Sequence, residues 1–451
     1  MKEARSNFTG KLGFVLTAAG SAVGLGNIWR FPYLAAKYGG GIFFLVYLVL
    51  AVTLGFALMC AEVAIGRKTG QSAIRAFGML NKKYTFIGWL AAIVPVIILP
   101  YYSVIGGWVI KYFAVFISGR ASTSAVDGYF EGFIGGAMEP LGWFFLFLSL
   151  TALVVLFGVQ KGVEKVSKWM MPILVLLTAV IAVYILFMPG AMDGVRYYLT
   201  PDFSKFSATT VLAAMGQLFY SMSIAMGIMI TYGSYMKKDI RLETSVRQIE
   251  GFDTAIAFLA GLMVIPAVFS FSGGDEAALG KGPGLMFVTL PKVFASMPGG
   301  TVIGALFFLL VFFAALPSSI SLMETIVSIL QDKLGWERRR SCIVVFLVSL
   351  LLGLPSSLGF GVLNKVKVAG LTFLDMFDFL SNSVLMPIVA LLTCLFVGYV
   401  IKPKNLIEEM EVGGKFTSRR LFTVIIKYVA PVCIVLILIS SVLDGLGIVK
   451  I

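Results

Sequence analysis

The chain has 451 residues, of which 59% are hydrophobic and 13% are charged, and its formal net charge is +13. Soluble domains are closer to half apolar and a quarter charged, so this composition excludes an ordinary soluble protein. The chain has no histidine and four cysteines, which excludes histidine-based metal sites and histidine acid–base catalysis.

Apolar runs long enough to cross a bilayer, which takes about 20 residues, recur along the whole chain. We therefore predict an all-α polytopic membrane protein with eleven transmembrane helices. In chain order the predicted spans cover residues 11–35, 41–66, 86–117, 141–159, 167–188, 208–235, 251–273, 301–331, 341–359, 372–401 and 421–447.

Basic residues concentrate at the N-terminus and in the loops after the second, fourth, sixth, eighth and tenth spans, for example DKLGWERRR at 332–340. By the positive-inside rule this pattern predicts a cytoplasmic N-terminus, and it requires no nucleic-acid partner. The sequence contains no phosphate-binding GxxxxGK[ST] loop, and its loops are too short for a catalytic domain. We expect neither direct use of ATP nor an enzyme.

The first span contains the unusual stretch GSAVGLGNIWRFPY at 20–33. Its GxxxG spacing is typical of close helix packing. However, Gly24 and Gly26 weaken the helix at one point, and Asn27 and Arg30 follow at once. An intramembrane charge is costly unless it lines an internal cavity. The stretch therefore predicts an interrupted helix with a binding site at the interruption.

The sixth span has a second candidate interruption, MGQLFYSMSIAMGIMITYGSY at 215–235. Serine and glycine are common in membrane helices, so this stretch alone is a weak signal. The first and sixth spans are, however, the first members of two groups of five, as an inverted repeat requires. We predict a first five-helix repeat over 1–200, a second over 201–402 and an accessory eleventh helix over 403–451.

Polar residues also occur in the other predicted spans. FFAALPSSISLMETI at 312–326 places three serines and a proline together, which suits either helix self-bonding or a cation site. In LPYYSVIGGW at 99–108, Tyr101 and Tyr102 point about 100° apart, so at most one lines a given cavity. The intramembrane acids, each a candidate for a functional role, are Glu62, Asp253, Glu324, Asp375 and Asp378.

Five of these stretches together resemble one known family. AAGSAVGLGNIWRFPY, GQLFYSMSIAMG, LPYYSVIGGW, AALPSSIS and FLDMFDF are similar, in this order, to motifs of the neurotransmitter:sodium symporters, especially the bacterial amino-acid transporters. The resemblance covers essentially the whole chain. It implies a 5+5 inverted repeat with broken helices 1 and 6, and sodium-coupled import of an α-amino acid by alternating access across a bacterial inner membrane.

The resemblance also implies which residues bind. The implied substrate residues are Ala22, Leu25, Gly26, Ile98, Tyr102, Tyr220, Ser221, Ser223, Met226, Ser318 and Leu322. One or two sodium ions are implied, with the oxygen ligands Gly20, Ala22, Val23, Asn27, Ser221, Asp253, Ala314 and Ser318. The implied gate residues are Arg30 and Asp378 on the outside, and Arg5, Asp332 and Tyr235 on the cytoplasmic side.

Position 24 bears on the substrate class. Monoamine carriers of this family have an acid at this place, whereas this chain has Gly24, so the substrate should bring its own carboxylate. The implied side-chain pocket is apolar and includes the flexible Met226. We therefore expect a large hydrophobic or aromatic α-amino acid. Ala225 replaces a glycine usual in the family, which leaves the pocket size open.

Two further features concern the ions. Bacterial relatives usually have threonine where this chain has Pro317, so the second sodium site is expected to be weak or absent, unless the freed Phe313 carbonyl, Ser318 and Ser319 rebuild it with a water. Animal members need chloride near the first sodium site. Asp253 would supply that negative charge here, so we expect no chloride requirement.

Two alternatives to a sodium-coupled carrier remain at this point. One is a proton-coupled amino-acid carrier of the same fold, in which Asp253 or Glu62 titrates. The other is a channel, or a sensor that binds the amino acid without transporting it.

Overall fold

The structure, a computed structural model, describes residues 7–273 and 284–445, which are predominantly helical. Thirteen helices carry the architecture. They are α1 (Lys11–Ala22), α2 (Gly26–Lys37), α3 (Gly41–Thr69), α4 (Lys82–Ile117), α5 (Met138–Leu156), α6 (Val159–Leu186), α7 (Ala208–Ser221), α8 (Ile228–Ser234), α9 (Leu242–Ser272), α10 (Gly300–Leu334), α11 (Arg338–Leu358), α12 (Phe373–Val400) and α13 (Arg419–Leu443). Short connecting helices cover Ala73–Leu80, Ala121–Ser124, Tyr129–Gly135, Ala191–Leu199, Leu285–Ser296 and Pro403–Met410.

The all-α membrane fold is confirmed. Within the described ranges, nine helices are long and apolar enough to cross a membrane, and α1 with α2 forms one further span, bent by 53°. The sixth predicted span consists of the two short helices α7 and α8, with residues 222–227 between them. The total of eleven spans and the division into repeats stay predictions.

The first break lies between α1 and α2, where Val23 is extended with φ −74° and ψ 100°. Asn27, in the first turn of α2, forms two hydrogen bonds with Gly24, which lies in the break. Its side-chain Oδ1 accepts a hydrogen bond from the Gly24 N–H at 3.1 Å, and its own N–H donates to the Gly24 carbonyl at 3.2 Å. One asparagine therefore satisfies backbone groups that a continuous helix would have paired internally.

The second break, between α7 and α8, has a left-handed backbone. Ser223, Ala225 and Gly227 have φ angles of 53°, 64° and 72°. The Ala225 N–H donates to Glu62 Oε1 at 2.7 Å, and the Glu62 side chain, on α3, is buried. A carboxylate from a neighbouring helix thus replaces the carbonyl acceptor that the unwound segment has lost.

The broken pair α1–α2 lies in the interior of the helix bundle, where α6, α7, α9 and α10 pack against it. The approach of α1 to α10 is close. A Cβ atom at Gly20 would lie 3.1 Å from Pro317 Cβ, so only glycine fits there without movement. Helix α10 continues through Pro317 without a break. This packing brings residues about 300 positions apart to the same place.

The left-handed conformation of Ala225 gives a stability prediction. An L-residue in this conformation costs about 1–2 kcal/mol, a cost that glycine avoids. Ala225→Gly should leave the midpoint of thermal unfolding in detergent unchanged or raise it. Ala213→Gly, inside α7, is the matched control and should lower the midpoint, since glycine costs about 1 kcal/mol in a helix interior. Equal losses in both variants would contradict the prediction.

Candidate functional site

A cavity with an empty volume of about 370 Å³ lies beside both helix breaks. Its lining residues are Ser21, Ala22, Gly24, Leu25, Gly26, Ile98, Tyr102, Tyr220, Ser221, Ser223, Met226, Ile228, Ser318 and Leu322. The structure thus brings every residue of the predicted substrate site to one cavity, and it adds three others. Their roles in binding stay predictions.

The cavity combines a helix N-terminus with apolar side chains. Its wall includes Leu25 and Gly26 at the start of α2, where backbone N–H groups lack intrahelical acceptors and carry partial positive charge. The Leu25 N–H lies 3.5 Å from the Tyr102 hydroxyl oxygen. Ile98 and Leu322 contribute apolar surface. Such a cavity suits a small molecule that has both an anionic group and an apolar group.

Gly24 leaves no room for a side chain at the cavity wall. A Cβ atom at this position would lie 2.8 Å from Ser318 Oγ and 3.2 Å from the Tyr102 hydroxyl. A carboxylate at position 24 would therefore require these neighbours to move.

A buried carboxylate lies next to the first break. Asp253 Oδ1 accepts hydrogen bonds from Asn27 Nδ2 at 2.8 Å and from Ser221 Oγ at 2.6 Å, while Oδ2 accepts one from the Tyr47 hydroxyl at 2.7 Å. All four side chains are buried. Among described residues, Asp253 forms no salt bridge, so its charge is met by neutral donors only. A buried intramembrane carboxylate without a protein counter-charge is a candidate ligand for a cation or a candidate site of protonation.

A second oxygen cluster surrounds Ser318 on α10. Its hydroxyl oxygen lies 3.0–3.5 Å from four backbone carbonyl oxygens, those of Gly20, Ser21, Val23 and Ala314. A hydroxyl has one proton and can donate to one of these carbonyls at a time. The converging carbonyl dipoles therefore create a negative potential, which suits a hard cation.

Neither cluster resembles a transition-metal site. In the described part of the chain, no group of three or more His, Cys, Asp or Glu side chains could hold a metal ion. The donors are carbonyl, hydroxyl and amide oxygens with one carboxylate, and such donors fit a hard cation of low charge. Pro317, next to Ser318, contributes no side-chain oxygen.

The predicted outer gate pair is not in direct contact. The Arg30 guanidinium lies over the Tyr220 ring, 5.1 Å from its centroid. Asp378 instead accepts hydrogen bonds from the Tyr101 hydroxyl at 3.1 Å and from Asn382 Nδ2 at 2.6 Å. Tyr102 lines the cavity, whereas the Tyr101 hydroxyl donates a hydrogen bond to Asp378. The two adjacent tyrosines therefore point to different sites.

On the predicted cytoplasmic side, Arg5 lies outside the described residues. Asp332 accepts a hydrogen bond from the Ser72 N–H at 2.7 Å. The Tyr235 hydroxyl donates to Glu324 at 2.8 Å, and Arg338 forms a salt bridge with the same carboxylate.

Sequence reasoning missed Tyr47, which contacts both Asp253 and Ser221, the latter at 3.4 Å between hydroxyl oxygens. The available signal was a single tyrosine inside the apolar stretch GIFFLVYLVL, because a buried tyrosine hydroxyl usually needs a partner. It also missed the contacts of Ser21. The Ser21 carbonyl accepts hydrogen bonds from Ser223 at 2.9 Å and from Ser318.

Comparisons with known proteins agree with this geometry. A family model described as the sodium:neurotransmitter symporter family matches residues 5–124 and 137–446. An uncharacterized sodium-dependent transporter of Bacillus subtilis is 36% identical over 444 residues, covering 95% of this chain and 96% of the relative. Another, from Haemophilus influenzae, is 32% identical and covers 97% of this chain and 98% of its own length. The crystal structure of MhsT in complex with L-phenylalanine matches with a TM-score of 0.88 and 38% identity, over 97% of this chain and 100% of that chain.

Tyr47→Phe tests the Asp253 cluster. The change leaves Asp253 Oδ2 without a donor, and removing a hydrogen bond to a buried charged group costs about 1–3 kcal/mol. Tyr112→Phe is the control, since it removes a buried 2.8 Å hydrogen bond to the neutral Phe287 carbonyl. We expect Tyr47→Phe to lower the midpoint of thermal unfolding more than the control does. An equal or smaller loss would contradict an ionised Asp253.

Proposed function

Because this chain belongs to the sodium:neurotransmitter symporter family, we propose that it is a sodium-coupled symporter that imports an α-amino acid by alternating access. The observation that carries the proposal is the cavity at the two helix breaks, where backbone N–H groups without intrahelical acceptors and apolar side chains line one space. The family is one of transporters, and the proposal includes no covalent chemistry. We place the chain in a bacterial inner membrane with its N-terminus in the cytoplasm.

The substrate carboxylate is proposed to bind the N–H groups of Leu25 and Gly26 together with the Tyr102 hydroxyl. The N-terminus of α2 attracts an anion electrostatically, and the break leaves these donors without intrahelical acceptors. The ammonium group would bind backbone carbonyls of Ala22 and Tyr220. The Ser221 carbonyl and the Ser223 hydroxyl would bind the same ammonium group.

The side chain of the substrate is proposed to be large and hydrophobic or aromatic. Ile98, Met226 and Leu322 offer an apolar surface, and methionine adapts its shape easily. The lack of room at Gly24 favours an amino acid over a monoamine as the substrate. A monoamine has no carboxylate, and the protein offers none at this position to replace it. L-Phenylalanine in the MhsT crystal structure supports the same class.

Two sodium positions are proposed. The first uses Ala22, Asn27, Ser221 and Asp253 with the substrate carboxylate, so ion and substrate raise each other's affinity reciprocally. The Asp253 charge would make chloride unnecessary.

The second position lies at Ser318, among the carbonyls of Gly20, Val23 and Ala314. Pro317 weakens it by withholding a hydroxyl. Ser319 Oγ lies 2.9 Å from Thr151 Oγ1 on α5, so it is already engaged away from this cluster.

The proposed gates are those implied by the family resemblance. Arg30 and Asp378 would approach each other when the outer side closes, and Arg5 with Asp332 and Tyr235 would latch the cytoplasmic side. In the described structure Arg30 and Asp378 have other partners, so closure would exchange those contacts for a direct ion pair. Exposed ion pairs contribute about 0–1 kcal/mol, so such a gate can open within each cycle.

Uptake into proteoliposomes tests the function. An inward sodium gradient at constant pH should drive L-phenylalanine accumulation, with gluconate replacing chloride at no loss. Phenethylamine, which has the same side chain but no carboxylate, should not accumulate. Asn27→Ala should reduce the sodium-dependent gain in affinity about 5- to 150-fold, the range for a coupling of about 1–3 kcal/mol. Asn364→Ala, at an exposed residue, is the control.

Other results identify the alternatives. Accumulation driven by a proton gradient without sodium would indicate a proton-coupled carrier. Binding without accumulation would indicate a sensor, and non-saturating sodium current would indicate a channel. Unchanged sodium dependence in Asn27→Ala would refute the proposed first sodium position.

Pro317→Thr tests the second position. We expect the unmodified protein to show a Hill coefficient for sodium of about one, because a cation that loses a ligand binds weakly. Pro317→Thr should raise sodium affinity and steepen the sodium curve. Pro355→Thr, which removes a proline inside α11, controls for general effects of helix prolines. Two sodium ions per amino acid by reversal potential in the unmodified protein, with no effect of Pro317→Thr, would show this prediction to be wrong.

A further inference from the structure

A second large cavity lies at the ends of α12 and α13, beside the short helix Pro403–Met410. Its empty volume is about 1,330 Å³, and it shares no lining residue with the cavity at the helix breaks. It borders the end of two predicted membrane spans, on the side that the charge pattern assigns to the cytoplasm. The proposed transport mechanism makes no use of it.

The cavity wall has more basic than acidic side chains. Lys402, Lys404, Arg419 and Lys427 line it together with Glu408 and Glu411, and the charge of Arg419 is met by a salt bridge with Glu411. The three lysines form no salt bridge within the described part of the chain. The Lys427 ammonium instead lies 5.6 Å from the centroid of the Tyr399 ring. The cavity therefore presents an uncompensated positive charge.

The segment that forms the cavity is fixed to the helix bundle at two points. Arg67, buried on α3, donates to Glu409 at 3.0 Å and to the Ile240 carbonyl at 2.8 Å. Glu243 on α9 accepts a hydrogen bond from the Thr417 N–H at 2.6 Å. These contacts hold the linker between α12 and α13 in place, so the lysines are arranged before any ligand arrives.

Lys402 has a strained backbone. Its φ is 65° and its ψ is 139°, and it precedes Pro403 at the start of the short helix. Such a conformation costs a residue other than glycine about 1–3 kcal/mol. For stability alone glycine would suit this position better. A lysine there adds a positive charge to the cavity wall at the cost of strain.

Helix α13 carries an exposed apolar strip, which begins next in sequence to the cavity-lining residue Thr423. Val424, Tyr428 and Val432 follow each other at intervals of four residues, so they share one face of the helix. They are 49%, 58% and 61% exposed, although the helix belongs to a predicted membrane span. Apolar side chains exposed on such a helix face lipid chains, and Tyr428 suits the boundary between headgroup and hydrocarbon.

We propose that this cavity binds the headgroup of an anionic phospholipid, with the lipid chains lying on the strip Val424, Tyr428 and Val432. Basic pockets between membrane helices on the cytoplasmic side suit such headgroups. A free phosphate shares the charge of the headgroup but would gain nothing from the apolar strip. The lysines would contact the phosphodiester, and Tyr399 with Tyr428 would lie beside it.

Lipid titration of the full chain in neutral detergent tests the proposal. Phosphatidylglycerol should raise the midpoint of thermal unfolding and remain bound in native mass spectra, whereas phosphatidylcholine should do neither. Lys404→Gln with Lys427→Gln should remove most of this response. Lys82→Gln with Lys83→Gln removes the same charge from the exposed start of α4 and should keep the response. Lys427→Arg, which retains the charge, should also keep it.

Three results would overturn the proposal. They are an undiminished phosphatidylglycerol response in the double variant, equal stabilisation by phosphatidylcholine, and a full response to glycerol phosphate, which would indicate a soluble-anion site. If the double variant does not fold, Lys404→Gln alone decides the matter, because Lys404 is exposed and forms no salt bridge among the described residues. None of these results depends on transport, so they are separate from the test of the proposed function.

Discussion

The arrangement depends on one interaction, in which the side chain of Asn27 joins the break between α1 and α2 to the carboxylate of Asp253. Its amide accepts from the Gly24 N–H and donates to Asp253 at 2.8 Å. A helix in an apolar environment can open only where other groups satisfy its backbone. Asn27 meets that need and at the same time places the opened backbone next to a buried negative charge. The candidate sodium and substrate positions adjoin each other for this reason.

The second break follows the same physical rule with different chemistry. Glu62 receives the Ala225 N–H, and the left-handed residues between α7 and α8 turn the chain back toward the cavity. The two breaks therefore bring exposed backbone groups to one cavity, where a charged ligand can bind without a charged side chain from the protein.

The proposed transport and the proposed lipid site place different demands on the molecule. Alternating access requires the contacts around α1 and α2 to change, and the cluster at Ser318 couples α1 to α10 through one hydroxyl. The linker between α12 and α13 is instead held by the buried Arg67–Glu409 pair. Breaking such a pair by removing one partner costs about 3–5 kcal/mol, so the linker is held firmly against α3.

The sequence by itself determined the helical membrane class, because apolar runs of about 20 residues have few other stable arrangements. It also indicated the first break, since glycine, asparagine and arginine together are costly inside a continuous membrane helix. Only the tertiary structure decided which side chains meet. Tyr47 reaches Asp253 across 206 positions, Ser318 meets carbonyls almost 300 positions away, and Arg30 rests on Tyr220 and not on Asp378. These contacts depend on the rotation and close approach of whole helices. In helices that are apolar on nearly every face, hydrophobic periodicity does not specify that rotation.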